Sequence, residues 1–284
     1  MEISGTTRLA CLLGYPAKHS KSPAMHNAAF MALNLDYRYL AFDVSPESLG
    51  DIVAGLKAMD FIGCNLTMPH KIAIIDYLDE ISDVSKLCGA VNTVINKNGK
   101  LVGTTTDGVG FFDSLFYENN YDCHDKTMTM LGSGGAACAI AAEGMLTRLD
   151  KLYIARRKND KWDATVDFAN RLADASQKPV EVIDINDNDI LGSAINASDI
   201  LVNATNVGMG DDKSSPVSAN LLRPELFVSD IIYHPLETTL LADAKRIGCQ
   251  TANGLYMLLY QGASSFEHWT GQKMPIDVVK NVMF

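Results

Sequence analysis

Thr127-Met128-Thr129-Met130-Leu131-Gly132-Ser133-Gly134-Gly135-Ala136-Ala137 is the stretch on which the reading of the fold turns. Five residues alternating threonine with large apolar side chains, bounded by glycine, read as a short buried strand. Gly132-x-Gly134-x-x-Ala137 then fits the turn G-x-G-x-x-A at the mouth of a helix expected over Ala136–Leu146. In such a turn the first glycine permits the tight bend and the second lets backbone approach a pyrophosphate. The small third residue lets helix and strand pack closely. The helix N-terminus adds unpaired N–H groups suited to phosphate. Gly132, Ser133, Gly134, Gly135 and Ala136 are therefore candidate cofactor-binding residues. A glycine turn with no ligand competes with this reading of the motif alone, and the strand–turn–helix setting weighs against it.

Downstream, strands are expected at Lys151–Ala155, Val180–Asp184, Ile200–Asn203 and Phe227–Ile232, with a helix at Asp163–Ala173. Strands alternating with helices at this spacing make a βαβ nucleotide domain, assigned to residues 109–253. The second strand ends Ala155-Arg156-Arg157-Lys158-Asn159-Asp160. Arg156 and Arg157 suit the 2′-phosphate of NADP, whereas Asp160 suits the ribose 2′-hydroxyl of NAD. Both readings stand; a solvated loop is preferred for Lys158 and Lys161. Helices at Leu236–Arg246, Tyr256–Thr270 and Ile276–Met283 exceed what that domain needs. Residues 254–284 are expected to return to the first domain, leaving a cleft of the kind small-molecule sites favour.

Upstream, residues 1–108 also alternate. Strands are expected at Arg8–Leu13, Tyr37–Phe42 and Gly63–Leu66, and helices from Ser22 to Leu33, Pro46 to Met59 and about Lys71 to Leu78. A hairpin pairs Ala90–Ile95 with Lys100–Thr104 across Asn98-Gly99. The fold class expected is thus α/β: an N-terminal α/β substrate domain with a mostly parallel sheet, plus a Rossmann-like dinucleotide-binding domain.

Three segments of the first domain carry polar residues that structure alone does not demand. In His19-Ser20-Lys21-Ser22-Pro23, Ser22 reads as a helix N-cap before proline. Ser20 has no such explanation, and adjacent hydroxyls suit a carboxylate ligand. In Asn65-Leu66-Thr67-Met68-Pro69-His70-Lys71, a lysine stands at a helix start, which is electrostatically unfavourable and marks a candidate for a lowered pKa and proton transfer; a surface lysine is the competing reading. The third segment joins Asn92-Thr93 with Thr105-Thr106-Asp107-Gly108, where Asp107 either caps the helix Val109–Phe116 or serves a site. One carboxylate, one lysine, two serines and two asparagines near strand ends make a plausible site for a polyol carboxylate.

Composition excludes other classes. With 284 residues and 47% hydrophobic side chains the chain can build two cores. A net charge of −10 argues against broad nucleic-acid binding. The six cysteines stand singly and the histidines form no HExxH pattern, so no metal site is expected and the cysteines read as reduced in the cytosol. Apolar runs fall short of the roughly 20 residues of a membrane span. The start Met1-Glu2-Ile3-Ser4 lacks a cationic, apolar leader, so a cytoplasmic protein is expected.

Taken in order, Gly14-Tyr15-Pro16-x-x-His19-Ser20-Lys21-Ser22-Pro23-x-x-His26-Asn27, Asn65-Leu66-Thr67-Met68-Pro69-x-Lys71, Gly89-Ala90-Val91-Asn92-Thr93, Thr106-Asp107-Gly108, Asn203-Ala204-Thr205-x-x-Gly208-Met209 and Gln261-Gly262-Ala263 resemble successive signatures of the shikimate dehydrogenase family. The C-terminal stretch Met257–Ala263 with Trp269-Thr270-Gly271 is most similar to the quinate/shikimate branch. The resemblance implies Lys71 and Asp107 as the catalytic pair, the lysine shuttling the proton of the reacting hydroxyl and the aspartate holding lysine and substrate in register. It implies Ser20 and Ser22 at the carboxylate, and Asn65, Thr67, Asn92 and Gln261 at the ring hydroxyls, with Tyr39 and Tyr233 nearby. Thr205 and Tyr256 would adjoin the cofactor. Either NAD or NADP is expected to work, on a cyclohexane or cyclohexene carboxylate, in a monomer or homodimer. Thr105, Ala155, Asn253 and Tyr256 depart from the family pattern, Tyr256 standing where a glycine usually approaches the nicotinamide. A non-catalytic sensor with a drifted cofactor pocket is the alternative. Retention of Lys71 and Asp107 favours the enzyme.

Overall fold

The computed structural model describes residues 3–284; Met1 and Glu2, on which the N-terminal reading partly rests, lie outside them. The chain divides into two compact units, Met1–Thr106 with Gln261–Phe284, and Asp107–Tyr260. The second division falls inside a long helix, where the sequence reading places it at 253/254.

The first unit runs β1 Arg8–Gly14, α1 Ser22–Ala32, β2 Tyr37–Asp43, α2 Leu49–Ala58, β3 Gly63–Leu66, α3 His70–Ala73, β4 Glu80–Ile81, α4 Asp83–Cys88, β5 Thr93–Lys97 and β6 Lys100–Thr104. Its sheet has the order β2-β1-β3-β5-β6-β4. β1 pairs parallel to β2 and β3, while β5 is antiparallel to both β3 and β6. Asn98 and Gly99 both take positive φ, 54° and 89°, which gives the β5–β6 turn its hairpin twist.

Strand alternation sorts the side chains of this sheet. Cys11, Leu13, Cys64, Leu66 and Val94 join Leu49, Val53 and Leu56 of α2 in one core. Asn65 and its register partner Thr93 point the other way. The second unit continues with α5 Asp107–Asn119, β7 Thr127–Leu131, α6 Gly135–Thr147, β8 Lys151–Arg156, α7 Trp162–Ser176, β9 Val180–Asp184, α8 Asn188–Asn196, β10 Ile200–Asn203, β11 Phe227–Asp230, α9 Thr239–Ile247 and β12 Gln250–Ala252. α10 Leu255–Thr270 and α11 Ile276–Met283 end the chain.

The far half of α10 covers the second face of the first sheet. Trp269 donates its indole N–H to the Val94 carbonyl at 2.9 Å. That approach is why β3 begins with glycine: a Cβ on Gly63 would lie 2.3 Å from the Trp269 nitrogen. Phe30, Tyr39, Phe266 and Trp269 surround the His26 ring, with Tyr39 stacked at 4.4 Å.

In the second unit all the strand pairs are parallel, in the order β12-β11-β10-β7-β8-β9. Counted from β7 this is 6-5-4-1-2-3, the Rossmann order, with its switch point between β7 and β10. Apolar strands such as Ile200–Val202 are fully buried, as helices on both faces of a parallel sheet require.

Some expected elements differ. The helix read over Lys71–Leu78 is one α-turn, His70–Ala73, followed by the 3-10 turn Ile74–Tyr77. A single turn carries little macrodipole, so the electrostatic argument drawn for Lys71 from a helix start loses its basis. The helix read from Leu236 begins at Thr239, where Thr238 caps it. The strand read to Ile232 ends at Asp230.

Burial without a partner makes His26 a pH-sensitive part of the first core. Both ring nitrogens lack a hydrogen bond. Desolvation brings its pKa from 6.5 down to about 3, against a smaller opposite influence of Asn65. The unfolded chain therefore takes up this proton near pH 6.5 and the folded chain does not. The contribution is complete above pH 6.5 and is lost as pH falls toward 3. Unfolding free energy by urea titration should drop by about 1.4 kcal/mol per pH unit below that point from this group alone. In His26→Gln this portion of the slope should vanish; an identical pH dependence in both proteins would show that the ring is solvated.

Candidate functional site

Each unit gathers polar groups at the ends of its strands. In the first, β3 ends at Leu66, and Asn65 just before it is 5% exposed. Its Oδ1 accepts from the Tyr39 hydroxyl at 2.8 Å. Its Nδ2 donates toward the Asn92 carbonyl at 3.2 Å, Thr93 Oγ1 at 3.1 Å and Ser265 Oγ at 3.0 Å. Asn92 precedes β5 rather than lying within it, and its Oδ1 accepts from the Thr106 N–H at 2.9 Å. Its Nδ2 points to Thr106 Oγ1 at 3.0 Å and, more weakly, to Gln261 Oε1 at 3.4 Å. Asn65, Asn92, Gln261 and Tyr39 thus come together, and buried Ser22 is near enough to the Tyr39 phenol to influence its titration. Tyr39 is fully buried, and that burial raises its pKa well above the ordinary phenol value.

The two serines exchange the parts assigned to them. Ser22 lies inside the first turn of α1 and makes no cap bond, so the N-cap reading is corrected. It is Ser20 whose Oγ accepts the Ser22 N–H at 3.1 Å, bracing the start of the helix. A serine oxygen that accepts still has its own hydrogen to give, so Ser20 keeps a donor for a ligand. Lys71 is half-buried on α3, and its carbonyl takes the Val91 N–H at 2.8 Å, one residue from Asn92. Thr67 follows β3 and is half-buried.

Asp107 is buried and opens α5, where a carboxylate complements the helix dipole. It belongs with the second unit, as do Tyr233, 45% exposed on the loop after β11, and Tyr256 in the first turn of α10.

The second unit holds a groove of about 1040 Å³ at its switch point, lined among others by Gly132, Gly134, Arg157, Asp160 and Thr205. Gly132 has φ +104°, and a Cβ there would lie 2.9 Å from the Ala204 carbonyl, so conformation and space both demand glycine. Gly134 has nothing within 4 Å of a built Cβ, and α6 begins immediately after it. Open backbone beside a helix N-terminus suits a pyrophosphate.

The arginines part company here. Arg156 Nη1 donates to Ser133 Oγ and the Lys161 carbonyl, both at 2.9 Å, and to Thr165 Oγ1. Nη2 reaches Asn159 Oδ1 at 2.7 Å. Its guanidinium therefore ties the glycine turn to the loop after β8, while Arg157 is exposed beside Asp160 on the groove.

The sequence reading gave no role to Asn203 or Asp230, which the structure brings together with Thr205. Asn203 ends β10 and accepts from Thr205 N–H at 3.1 Å and Thr205 Oγ1 at 2.7 Å; its Nδ2 lies 3.1 Å from both oxygens of Asp230, which ends β11. Asp230 also accepts from Ile232 N–H at 3.0 Å and Thr238 Oγ1 at 2.8 Å. Burial pushes its carboxyl upward, against the pull of these donors. Polar residues ending two apolar strands were the available signal. Among the described residues, no group of three or more His, Cys, Asp or Glu could hold a metal ion. No helix there is long and apolar enough to cross a membrane.

The fold and groove place the second unit in the Rossmann-like dinucleotide-binding class, joined to a second α/β unit with a buried polar centre. Comparison with known proteins narrows this. The family models for the shikimate dehydrogenase substrate binding domain and the shikimate 5′-dehydrogenase C-terminal domain match residues 12–94 and 254–284. The chain is 44% identical to the shikimate dehydrogenase (NADP(+)) of Listeria monocytogenes serotype 4b, over 99% of this chain and 97% of that protein. The crystal structure of the Listeria monocytogenes shikimate 5-dehydrogenase in complex with shikimate and NAD superposes with a TM-score of 0.95 at 43% identity, covering 100% and 99% of the two chains. The quinate dehydrogenase of Corynebacterium glutamicum in complex with NAD gives 0.87 at 28% identity, covering 97% and 98%. The chain belongs to the shikimate dehydrogenase family.

The contrast between neighbouring arginines can be measured without any ligand. Arg156→Ala removes donors to Ser133, Thr165 and Asn159 and should cost about 1–3 kcal/mol of stability. Arg157→Ala should stay within about 0.5 kcal/mol of the parent. Thermal melts of the two variants that coincide would show that Arg156 does not brace the loop.

Proposed function

We propose that this protein is an NAD(P)-dependent dehydrogenase interconverting shikimate, quinate or both with the corresponding 3-dehydro acid. The supporting observation is the buried group of Asn65, Asn92 and Gln261 in the first unit of a chain 44% identical, nearly end to end, to a shikimate dehydrogenase. Oxidation breaks the C–H and O–H bonds of one ring carbinol: the hydride leaves carbon, the proton leaves oxygen, and a ketone remains. A bound nicotinamide dinucleotide supplies the hydride acceptor, and the groove at the switch point fits its pyrophosphate through the Gly132–Gly134 backbone, with Gly135 and Ala136 following at the helix N-terminus.

In this reading Lys71 takes and returns the hydroxyl proton, and Asp107 keeps the reacting hydroxyl in register. Ser20 and Ser22 bind the carboxylate, while Asn65, Thr67, Asn92 and Gln261 hold the ring hydroxyls. Tyr39, wholly buried, acts through Asn65, and Tyr233 and Tyr256 adjoin substrate and cofactor. All six cysteines are free thiols, which suits work in the reducing cytosol.

Purified protein should change absorbance at the reduced-nicotinamide band with at least one of the two acids. Lys71→Ala should lower kcat by about 10²–10⁴-fold, the usual contribution of a positioned acid–base group, with a much smaller change in acid binding. Asp107→Asn should act in the same direction. An unchanged kcat in either variant removes that residue from the mechanism.

For the cofactor, Arg157 favours a 2′-phosphate through charge-assisted bonds and Asp160 opposes it. Both NAD and NADP should therefore support turnover, within about 100-fold of each other, or roughly 2.7 kcal/mol. Arg157→Ala should penalise NADP more than NAD in kcat/KM. An unaltered ratio would place the adenosine ribose elsewhere.

A further inference from the structure

We propose that Ser265 is a positioning residue for recognition of the ring hydroxyls, acting through Asn65 and Asn92; the inference rests on the assignment of those amides given above. Ser265 lies one helical turn beyond Gln261 on α10 and has no exposure to solvent. A polar side chain in such a place is tolerated only when bonded. Alanine would be the better helix former there, with no polar atom to satisfy. The hydroxyl meets the sheet where Asn65 and Thr93 project from it.

Donor and acceptor capacities fix the amide bonds and limit the directions of the hydroxyl bonds. Asn65 Nδ2 can only donate, so Ser265 Oγ accepts from it at 3.0 Å. The Thr93 hydroxyl gives its hydrogen to Asn92 Oδ1 at 2.8 Å, so in the 2.7 Å contact with Thr93 the serine donates, its one hydrogen being shared with the Gln261 carbonyl at 3.1 Å. Asn92 Nδ2 donates to Thr106 Oγ1 at 3.0 Å, leaving the Thr106 hydrogen to Ser265 Oγ and Asn92 Oδ1, both at 3.2 Å. The bonds close a ring, Ser265 to Thr93 to Asn92 to Thr106 and back. Hydrogen bonds linked in this way polarise and strengthen one another.

The consequence for Asn65 is specific. Both of its N–H hydrogens are taken by protein acceptors, and one lone pair of Oδ1 receives the Tyr39 hydroxyl. What remains is a single lone pair, so Asn65 is set to accept a hydrogen from a ring hydroxyl and not to donate one. Ser265 reinforces that polarity: it is the nearest of three acceptors around Asn65 Nδ2, and without its oxygen the amide is held only by the longer contacts to Thr93 Oγ1 at 3.1 Å and the Asn92 carbonyl at 3.2 Å, so its orientation is less firmly set. The serine therefore governs discrimination between a ring carbon bearing hydroxyl and one lacking it.

The test compares kcat/KM of the parent and of Ser265→Ala on the accepted acid and on analogues each missing one ring hydroxyl. Ser265→Ala should raise the KM of the acid about 10-fold and leave the cofactor KM within about twofold. Discrimination against one deoxy analogue should shrink by about 10-fold, as expected for a lost hydrogen bond in a polar site. Thr106→Val, which opens the same ring from another member, should lower the same discrimination, and the double variant should lose less than the two changes together. Parent-like discrimination in Ser265→Ala overturns the proposal, as does an equal rise of both KM values with selectivity intact, the mark of a purely structural residue. Should Ser265→Ala not fold, Thr106→Val alone decides in the same way. A parent that turns over neither acid overturns the functional reading instead, and the proposal with it.

Discussion

A strand covered on both faces can offer polar groups to a ligand only where it ends, and this constraint shapes both units. In the second unit Leu131, Arg156, Asn203 and Asp230 are the last residues of their strands. The middles of these strands are largely apolar and buried, and Arg156, Asn203 and Asp230 stand at the C-terminal edge of the sheet. Ladder hydrogen bonds hold that edge in register, Leu131 opposite both Asn203 and Ala155. Rigid strands thus deliver the turn glycines and the Asn203–Asp230 pair to the switch point, where loop contacts from Arg156, Thr205 and Thr238 fix them further.

The first unit meets the same constraint differently, because its strands carry polar residues inward. Asn65, Thr93 and Thr106 are buried, each 5% exposed or less. An unbonded amide or hydroxyl in such a place costs about 1–3 kcal/mol, so a partly satisfied cluster would weaken the core. Here the cluster closes on itself and on Ser265 of the last long helix. The same face buries His26 with neither nitrogen bonded, and aromatic rings rather than hydrogen bonds define its position. Polar satisfaction at the candidate site and its absence at His26 lie on one sheet face, separated by Tyr39, which stacks on the histidine and bonds the asparagine.

The β7–turn–α6 unit was legible because each level agreed: an apolar run, glycines at the spacing of the turn, and a small-residue helix. The parallel order followed from alternation of strands and helices. Other features were hidden for physical reasons. Ile72, Ile74, Ile75 and Leu78 give a helical spacing that the chain fills with one α-turn and one 3-10 turn. α8 lies in an Asn- and Asp-rich stretch that reads as loop until Asp187 is seen to cap it. Ser22 looks like the N-cap because proline follows, whereas Ser20 braces the helix from outside. Ser265 could be found only once α10 was known to pack on the face carrying Asn65 and Thr93. Periodicity on a helix gives its faces but not what lies opposite them.

The groove of the second unit shows how little charge is left to decide a cofactor once the fold has taken its share. Arg156 sits in the position from which an arginine would be expected to meet a 2′-phosphate, yet its guanidinium already serves Ser133, Asn159, Thr165 and the Lys161 carbonyl. Removing it from those partners would leave buried or loop acceptors unmet, so it is held in place by the fold. Arg157, Asp160 and Lys161 line the same groove, all exposed and of mixed sign, beside the braced Arg156. Exposed charges act through a high dielectric and are screened by salt, so each contributes less than a buried charge would. The loop that carries them takes its shape from Arg156, whose bonds to Ser133 and Asn159 join it to the glycine turn.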